Sequence, residues 1–118
     1  MILYFWTEVV QNIMELDKSF GETIKCLRTN NNLTLREVAE HLQIDISMLG
    51  KIEKNNRKPS KQLIKDISTL FGISEKELTI AHLSDKIVYS ILEEDLATEA
   101  LKVAEEKINN YNKNKVSK

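Results

Sequence analysis

The chain has 118 residues, of which 42% are hydrophobic and 30% charged, and its formal net charge at pH 7 is -1. That length fits one domain of ordinary size with a modest extension. Three glycines and one proline are too few for a turn-rich β fold, and the abundant residue types favour helices, so we expect an all-α protein. A single cysteine excludes an internal disulfide and a paired-cysteine metal site, and it suits a reducing compartment.

The N-terminal extension opens on MILYFW, an apolar run that lacks the basic residues of a signal peptide. Glu8 interrupts the run far short of the roughly 20 apolar residues that a membrane span needs. We therefore expect a cytoplasmic protein with no membrane partner. Two interpretations of residues 1–13 stay open. Either they are a loose tail or an artefact before an initiator at Met14, or a short helix over Thr7 to Leu16 caps the domain.

Three helix starts are marked by a hydroxyl residue followed three positions later by glutamate, a pattern in which both side chains satisfy free amides of the first turn. The pairs are Ser19 with Glu22, Thr34 with Glu37, and Ser74 with Glu77. The first pair predicts a helix from Phe20 to Thr29. Three asparagines follow this helix, and asparagine tolerates the left-handed backbone of a turn.

The stretch from Thr34 to Pro59 predicts two short helices across a tight turn. Apolar residues at i, i+3, i+4 and i+7 predict the first of them over Leu35–Leu42. The turn Gln43-Ile44 follows. Asp45 is then in position to cap a third helix of the chain, which reaches about Lys54.

Four further helices are predicted in the C-terminal half. Pro59-Ser60 opens the fourth helix, which Gly72 ends, and a short fifth helix follows from Glu75 to about His82. Ser84 is expected to cap a sixth helix, and a seventh spans Glu94 to about Asn110. The expected architecture is a five-helix domain with two additional C-terminal helices. Its predicted parts are an N-terminal extension (1–18), the domain (19–83), a C-terminal helical extension (84–111) and a flexible tail (112–118).

The nearly neutral total charge conceals a basic segment. From Lys51 to Lys65 the chain carries six basic residues against one acidic residue, a balance of +5 over fifteen positions. The compensating acidic residues lie near the N-terminus and in the C-terminal part. Charges separated by more than the Debye length, about 8 Å at physiological salt, are largely screened from each other. The low total charge therefore does not exclude a nucleic-acid ligand.

A recognisable motif lies within the stretch from Ser19 to His82. It consists of Thr34, Glu37, Val38, Ala39, Leu42, Ile44, Leu49, Ile52, Glu53, Arg57 and Pro59. In this spacing the chain resembles the lambda repressor and Cro-like helix-turn-helix family, also called the XRE family. The resemblance implies a compact five-helix domain whose third helix enters the DNA major groove, with a dimer reading two half-sites of a palindromic operator. It also implies an internal salt bridge between Arg28 and Glu53.

The same resemblance assigns DNA-binding roles to individual residues. The base-reading residues are expected at the front of the third helix: Ile46, Ser47, Gly50 and Lys51. Ile46 suits a thymine methyl group, Ser47 suits a base edge, and Lys51 suits guanine O6 and N7. Alternatively, Lys51 binds phosphate and Ile46 packs on a neighbouring turn. Phosphate contacts, which fix register without reading sequence, are expected from Arg36, Lys54, Arg57, Lys58, Ser60 and Lys61.

Three residues depart from the family pattern. Leu35 stands where the family commonly has a phosphate-binding glutamine, so that contact is lost or shifts to Arg36. Gln43 stands where the turn usually has glycine, so either Gln43 adopts a left-handed conformation or the turn is reshaped. Gly50 costs the third helix about 1 kcal/mol relative to alanine, a cost that close approach to DNA would explain.

The C-terminal helices carry an apolar seam that needs a partner surface. Its residues are Leu92, Leu96, Ala100, Val103, Ala104 and Ile108. Folding back on the domain is one way to cover the seam, and a two-fold dimer is the other. The dimer is favoured because symmetric pairing doubles the few base contacts of a single helix-turn-helix.

These features predict a DNA-binding transcriptional regulator, a repressor or autoregulator that resembles phage repressors and the controller proteins of restriction-modification systems. The alternative is an antitoxin or adaptor that holds a protein partner with its C-terminal helices. The basic segment discriminates between them, because a pure adaptor does not require it. The glycines are isolated and the two histidines have no ligand-like spacing with Cys26, so we expect no enzymatic activity, no metal and no cofactor.

Overall fold

The computed structural model describes residues 18–116, and within that range it contains six helices and no strand. In chain order they are α1 Phe20–Asn30, α2 Leu35–Leu42, α3 Ile46–Glu53, α4 Lys61–Phe71, α5 Glu75–Ile91 and α6 Ala97–Val116. The expected all-α class is confirmed. The question left open about residues 1–13 lies outside the described residues.

Hydroxyl side chains cap the helices at the positions that the sequence marks. Ser19 and Ser74 each accept a hydrogen bond from the amide three residues later, at 3.2 Å in both cases. At Thr34 the exchange is reciprocal, since Glu37 N donates to Thr34 Oγ1 at 3.1 Å and Thr34 N donates to Glu37 Oε1 at 3.0 Å. The backbone bond from Thr34, and secondly its side-chain bond, lower the pKa of the Glu37 carboxyl. Asp45 occupies the N-cap of α3 but makes no side-chain capping bond.

One apolar core joins α1 through α5. Its most deeply buried side chains come from all five helices: Ile24, Val38, Leu49, Ile52, Ile67 and Leu78. Burying a side chain of this size contributes roughly 1.5–3 kcal/mol. Two of these residues, Leu49 and Ile52, belong to α3, so the core fixes the orientation of that helix and decides which of its faces remains outside.

The course of α5 corrects the sequence prediction. A short helix ending near His82 and a separate helix capped by Ser84 are expected, but α5 runs unbroken to Ile91. Ser84 Oγ donates to the carbonyl of Ala81 at 2.9 Å within the helix. A serine hydroxyl can either donate to a carbonyl of the preceding helical turn or cap a following helix. Ser84 does the first. The two helices expected around Ser84 are therefore one.

The chain divides into two compact units between Asp85 and Lys86, where the sequence-based boundary falls after residue 83. The first unit holds α1 to α4 and most of α5, and the second holds the end of α5 and α6. α6 begins later than the predicted Glu94 and continues to Val116, well past the predicted end near Asn110. None of the helices within residues 18–116 combines the length and apolar character needed to cross a membrane.

Candidate nucleic-acid interface

The turn between α2 and α3 is closed by Gln43 in the left-handed conformation, with φ 57° and ψ 45°. Gln43 N donates to the Glu40 carbonyl at 3.2 Å, and Ile44 N donates to the Ala39 carbonyl at 3.0 Å. This is the hydrogen-bonding scheme with which glycine commonly ends a helix. Of the two alternatives for this departure from glycine, the structure shows that Gln43 adopts the left-handed backbone, at a steric cost.

α3 has one buried and one exposed face. Leu49 and Ile52 lie in the core, whereas Ile46, Ser47 and Lys51 are exposed, Ile46 by 42%. The three exposed residues are separated by one, four or five positions, spacings that place them on one side of a helix. The structure thus gathers the predicted base-reading residues on the outward face of α3.

Gly50, the fourth predicted base-reading residue, lies on the same helix beside Leu35. A β-carbon at Gly50 would have Leu35 Cδ2 as its nearest neighbour at 3.6 Å, an ordinary van der Waals contact. Packing within the chain therefore does not require glycine at this position. Leu35 is half-buried against the core and has no hydrogen-bonding group, whereas the neighbouring Arg36 is exposed. Arg36 thus has a side chain suited to the phosphate contact that Leu35 lacks.

The basic residues predicted to contact phosphates lie at the end of α3, in the following loop and at the start of α4. All of them are exposed: Lys54, Arg57, Lys58 and Lys61. Ser60 is exposed too, and its Oγ accepts a hydrogen bond from Leu63 N at 3.1 Å as the N-cap of α4. Because a hydroxyl that accepts one bond still carries its hydrogen, Ser60 can cap α4 and donate to a phosphate oxygen at the same time.

An ion pair connects α1 to the C-terminal end of α3. Arg28 Nε donates to Glu53 Oε2 at 2.8 Å, and Arg28 Nη2 donates to Glu53 Oε1 at 3.1 Å, a two-bond geometry. Arg28 Nη1 also donates to the Leu33 carbonyl at 3.1 Å. The two side chains are only 14% and 6% exposed. The hydrogen bond to Glu53 raises the pKa of Arg28.

A second connection between α1 and α3 has no clear signal in the sequence. Asn55 has a left-handed backbone, with φ 63°, just after α3. Its Oδ1 accepts from Gly21 N at 3.0 Å, and its Nδ2 donates to Ser19 Oγ at 2.8 Å. A β-carbon at Gly21 would lie 2.5 Å from the carbonyl oxygens of both Ile52 and Glu53. Gly21 therefore permits the close approach of the two helices, and Asn55 bonds them together.

This connection is one part of a complete set of acceptors at the N-terminus of α1. The first three amides each have a different side-chain acceptor: Phe20 N bonds to Asp85 Oδ2 at 2.5 Å, Gly21 N to Asn55 Oδ1 at 3.0 Å, and Glu22 N to Ser19 Oγ at 3.2 Å. Free amides at a helix start need such partners. The acceptors come from three parts of the chain, so α1 is held in place by polar bonds as well as by the core.

The short α2, the tight turn and the partly exposed α3 form a helix-turn-helix, and a family model described as a helix-turn-helix domain matches residues 21–80. The chain belongs to this helix-turn-helix family. An uncharacterized HTH-type transcriptional regulator of Bacillus subtilis (strain 168), YazB, is 37% identical over 59 residues, which cover 50% of this chain and 86% of that relative. No solved structure gives a significant match. The helix-turn-helix match ends before α6, so the second unit lies outside it.

Proposed function

We propose that this helix-turn-helix protein is a transcriptional regulator of the lambda repressor and Cro-like (XRE) type, which binds double-stranded DNA with α3 in the major groove. The observation that carries the proposal is the exposed face of α3, which continues directly into the exposed basic residues of the following loop and of α4. The name of the Bacillus subtilis relative supports a role in transcription.

Base reading is assigned to the outward residues of α3. Ile46 offers an apolar surface for a thymine methyl, Ser47 can donate to or accept from a base edge, and Lys51 can reach guanine O6 and N7. Gly50 has no side chain to separate α3 from the DNA. Since glycine is not required there by the packing of the chain, close approach to the groove accounts for it.

Affinity is assigned to the phosphate contacts. Lys54, Arg57, Lys58 and Lys61 follow one another from the end of α3 into α4, and Arg36 adds a contact from α2. The N-terminal amides of α4 and the Ser60 hydroxyl supply neutral donors to a phosphate. Such contacts position the protein on any duplex and make binding sensitive to salt.

The regulator is further proposed to act as a cytoplasmic homodimer that represses its target or its own gene by occupying a palindromic operator. Support for the dimer comes from the second unit, where Leu92, Leu96, Val103 and Ile108 of the predicted seam are exposed by 62, 69, 49 and 56%. Two copies related by a two-fold axis would present two α3 helices to successive half-sites.

Selection of bound DNA from a random pool tests the proposal. We expect enrichment of a sequence with two inverted half-sites. The Lys51→Ala variant should lose a guanine preference within each half-site, and the matched control Lys76→Ala, an exposed lysine on α5, should select the same sequence as the parent. Absence of enrichment by a protein whose circular dichroism shows a folded helical state would overturn the proposal.

The exposed apolar residues of the second unit also favour a second candidate, an antitoxin or adaptor that holds a protein partner. The two candidates differ in what the basic segment does. For an adaptor, replacing Lys54, Arg57 and Lys58 by alanine leaves partner binding and biological activity unchanged, whereas for a DNA-binding regulator the activity is lost. Reporter expression from the selected DNA, measured with the parent and with the triple variant, separates them.

A further inference from the structure

The exposed surface of α6 has a regular apolar stripe. Every residue from Thr98 to Lys115 is exposed, yet apolar residues recur at alternating spacings of three and four: Ala97, Leu101, Ala104, Ile108 and Tyr111. Together with Ala100 they occupy an arc of roughly 100° on a helix that turns about 100° per residue. Such a stripe is typical of a helix that packs against another helix, and in an isolated helix the stripe is exposed to water.

Charge is distributed unevenly along the same helix and the turn that precedes it. From Glu93 to Glu99 there are four acidic residues and no basic residue, whereas from Lys107 to Lys115 there are three basic residues and no acidic residue. All seven charged side chains are exposed. A surface that is acidic at one end and basic at the other is complementary to a second copy of itself turned end for end.

We propose that α6 pairs antiparallel with α6 of a second copy, about a two-fold axis that passes between Lys102 and Val103. The inference rests on the proposed homodimer and gives it an orientation and a register. In this register Leu101 lies opposite Ala104 of the second copy, and Ile108 lies opposite Ala97. Leu101 and Ile108 thus each meet an alanine, which lets the two helices approach closely.

The register also uses a groove within the second unit. Ala97 and Leu101 line this groove together with Ile87 and Val88 from the end of α5. Ile87 and Val88 are 45% and 44% exposed. Ile108 of the second copy, placed opposite Ala97, reaches the groove and removes its apolar lining from water. The end of α5 therefore contributes to the same interface.

The charges decide between the two possible orientations. A parallel pair sets the acidic start of α6 and its preceding turn beside the same acidic residues of the second copy, and lysines beside lysines, an arrangement that is unfavourable for association. The antiparallel pair brings the acidic start of one α6, with the turn before it, next to the basic end of the other α6. Acidic side chains near a helix start and basic ones near its end also stabilise α6 itself, but that effect is confined to the first and last turns.

Disulfide cross-linking of the full-length chain, in a Cys26→Ala background, tests orientation and register. Ala97 and Ile108, eleven residues apart on the apolar stripe, are separated by about 16 Å along one helix. A disulfide needs Cα atoms within about 7 Å, so the two positions cannot be linked within one chain. In the antiparallel register the Ala97→Cys variant and the Ile108→Cys variant each remain unlinked after mild oxidation. The double variant, with both cysteines in one chain, forms a covalent dimer.

Two cross-linking results would overturn the inference. A parallel pair would link each single variant to itself, and an absent or differently paired interface would leave the double variant unlinked. DNA selection with the same proteins keeps the outcomes apart. If the double variant fails to link but still selects inverted half-sites, only the antiparallel pairing is contradicted. If it links as predicted but does not select DNA, only the proposed function is contradicted.

A compensated charge swap gives an independent test by sedimentation equilibrium. Glu93→Lys, Glu94→Lys, Asp95→Lys and Glu99→Lys together make the start of α6 and the turn before it basic. In the antiparallel pair this end then meets the basic end of the second copy, and we expect about a tenfold weaker dimer. Adding Lys107→Glu, Lys113→Glu and Lys115→Glu should restore the parental dissociation constant to within about threefold, because the two ends that meet are again of opposite charge. If the seven substitutions together weaken the dimer more than the first four, the antiparallel pairing is wrong.

Discussion

The two units of the chain differ in how far their side chains are buried or hydrogen-bonded within the chain itself. In the first unit every helix contributes to one core, and the first three amides of α1 each have a side-chain acceptor. In the second unit α6 leaves both its apolar and its charged residues exposed. The first unit is therefore stabilised by contacts within its own chain, whereas the exposed apolar surface of the second unit stabilises the protein only if it binds a partner.

The largest effect is expected at the ion pair of the first unit. Arg28→Ala leaves Glu53 nearly buried without its partner, and the free energy of unfolding should fall by about 3–5 kcal/mol. Chemical denaturation measures this loss. The exposed Arg36→Ala is the matched control and should change stability by less than about 0.5 kcal/mol. Equal stabilities of the two variants would show that the pair does not hold α1 to α3.

Two glycines of the first unit should respond in opposite directions. Gly21→Ala forces a β-carbon against two backbone carbonyls and should lower stability by roughly 1–3 kcal/mol. Gly50→Ala, where an added β-carbon meets only an ordinary contact, should raise stability by up to about 1 kcal/mol while weakening DNA binding. Denaturation and DNA titration of both variants test this. Tolerance of alanine at Gly21 would contradict the close approach of α1 to α3.

Substitutions in the second unit should change association and leave the first unit alone. Leu96→Asp with Ile108→Asp places charge on the exposed seam, and the protein should sediment as a monomer. The unfolding transition of the first unit should shift by no more than about 0.5 kcal/mol, the usual range for exposed positions. Persistent dimers would place the interface elsewhere, and a large loss of stability would mean that the first unit does not stand alone.

The smallest effect is expected at the capping box of α2. Hydrogen bonds from Thr34, the backbone bond first, hold the pKa of Glu37 below its ordinary value of 4.5. A carboxyl with a lowered folded-state pKa contributes stability that is present above the unfolded pKa and is lost as pH falls through the folded one. NMR titration of the Glu37 side chain should show the lowered pKa in the parent and only a partial rise in Thr34→Ala, because alanine removes the side-chain bond but keeps the backbone amide that contributes most.

Hydrogen bonds between residues close in sequence could be predicted from the sequence, and those between residues far apart in sequence could not. Thr34 and Glu37 are three residues apart, so their exchange of hydrogen bonds is a local property of the chain. The bond from Gly21 to Asn55 spans 34 residues, and the bond from Phe20 to Asp85 spans 65. Neither bond has a sequence signal. Gly21 looks like any isolated glycine, and no pattern around Phe20 indicates Asp85 as its partner.

At the candidate site, too, local features could be predicted from the sequence and contacts between helices could not. Periodicity identifies the outward face of α3, because the buried residues of a short helix determine which positions remain outside. It does not show that Leu35 packs beside Gly50, a contact between two helices. Ser84 illustrates a local ambiguity instead, since one hydroxyl can cap a new helix or bond within an existing one.

The salt dependence of DNA binding tests the central claim most directly, because it counts the phosphate contacts of the basic segment. Replacing Lys54, Arg57 and Lys58 by alanine in both copies of the dimer removes six contacts, so the slope of log K against log salt concentration should fall by about 5.4, or about 0.9 for each contact. A control triple variant, Lys25→Ala with Lys76→Ala and Lys86→Ala, removes the same charge from exposed positions outside the segment and should keep the parental slope. Equal slopes for the two triple variants would contradict the account.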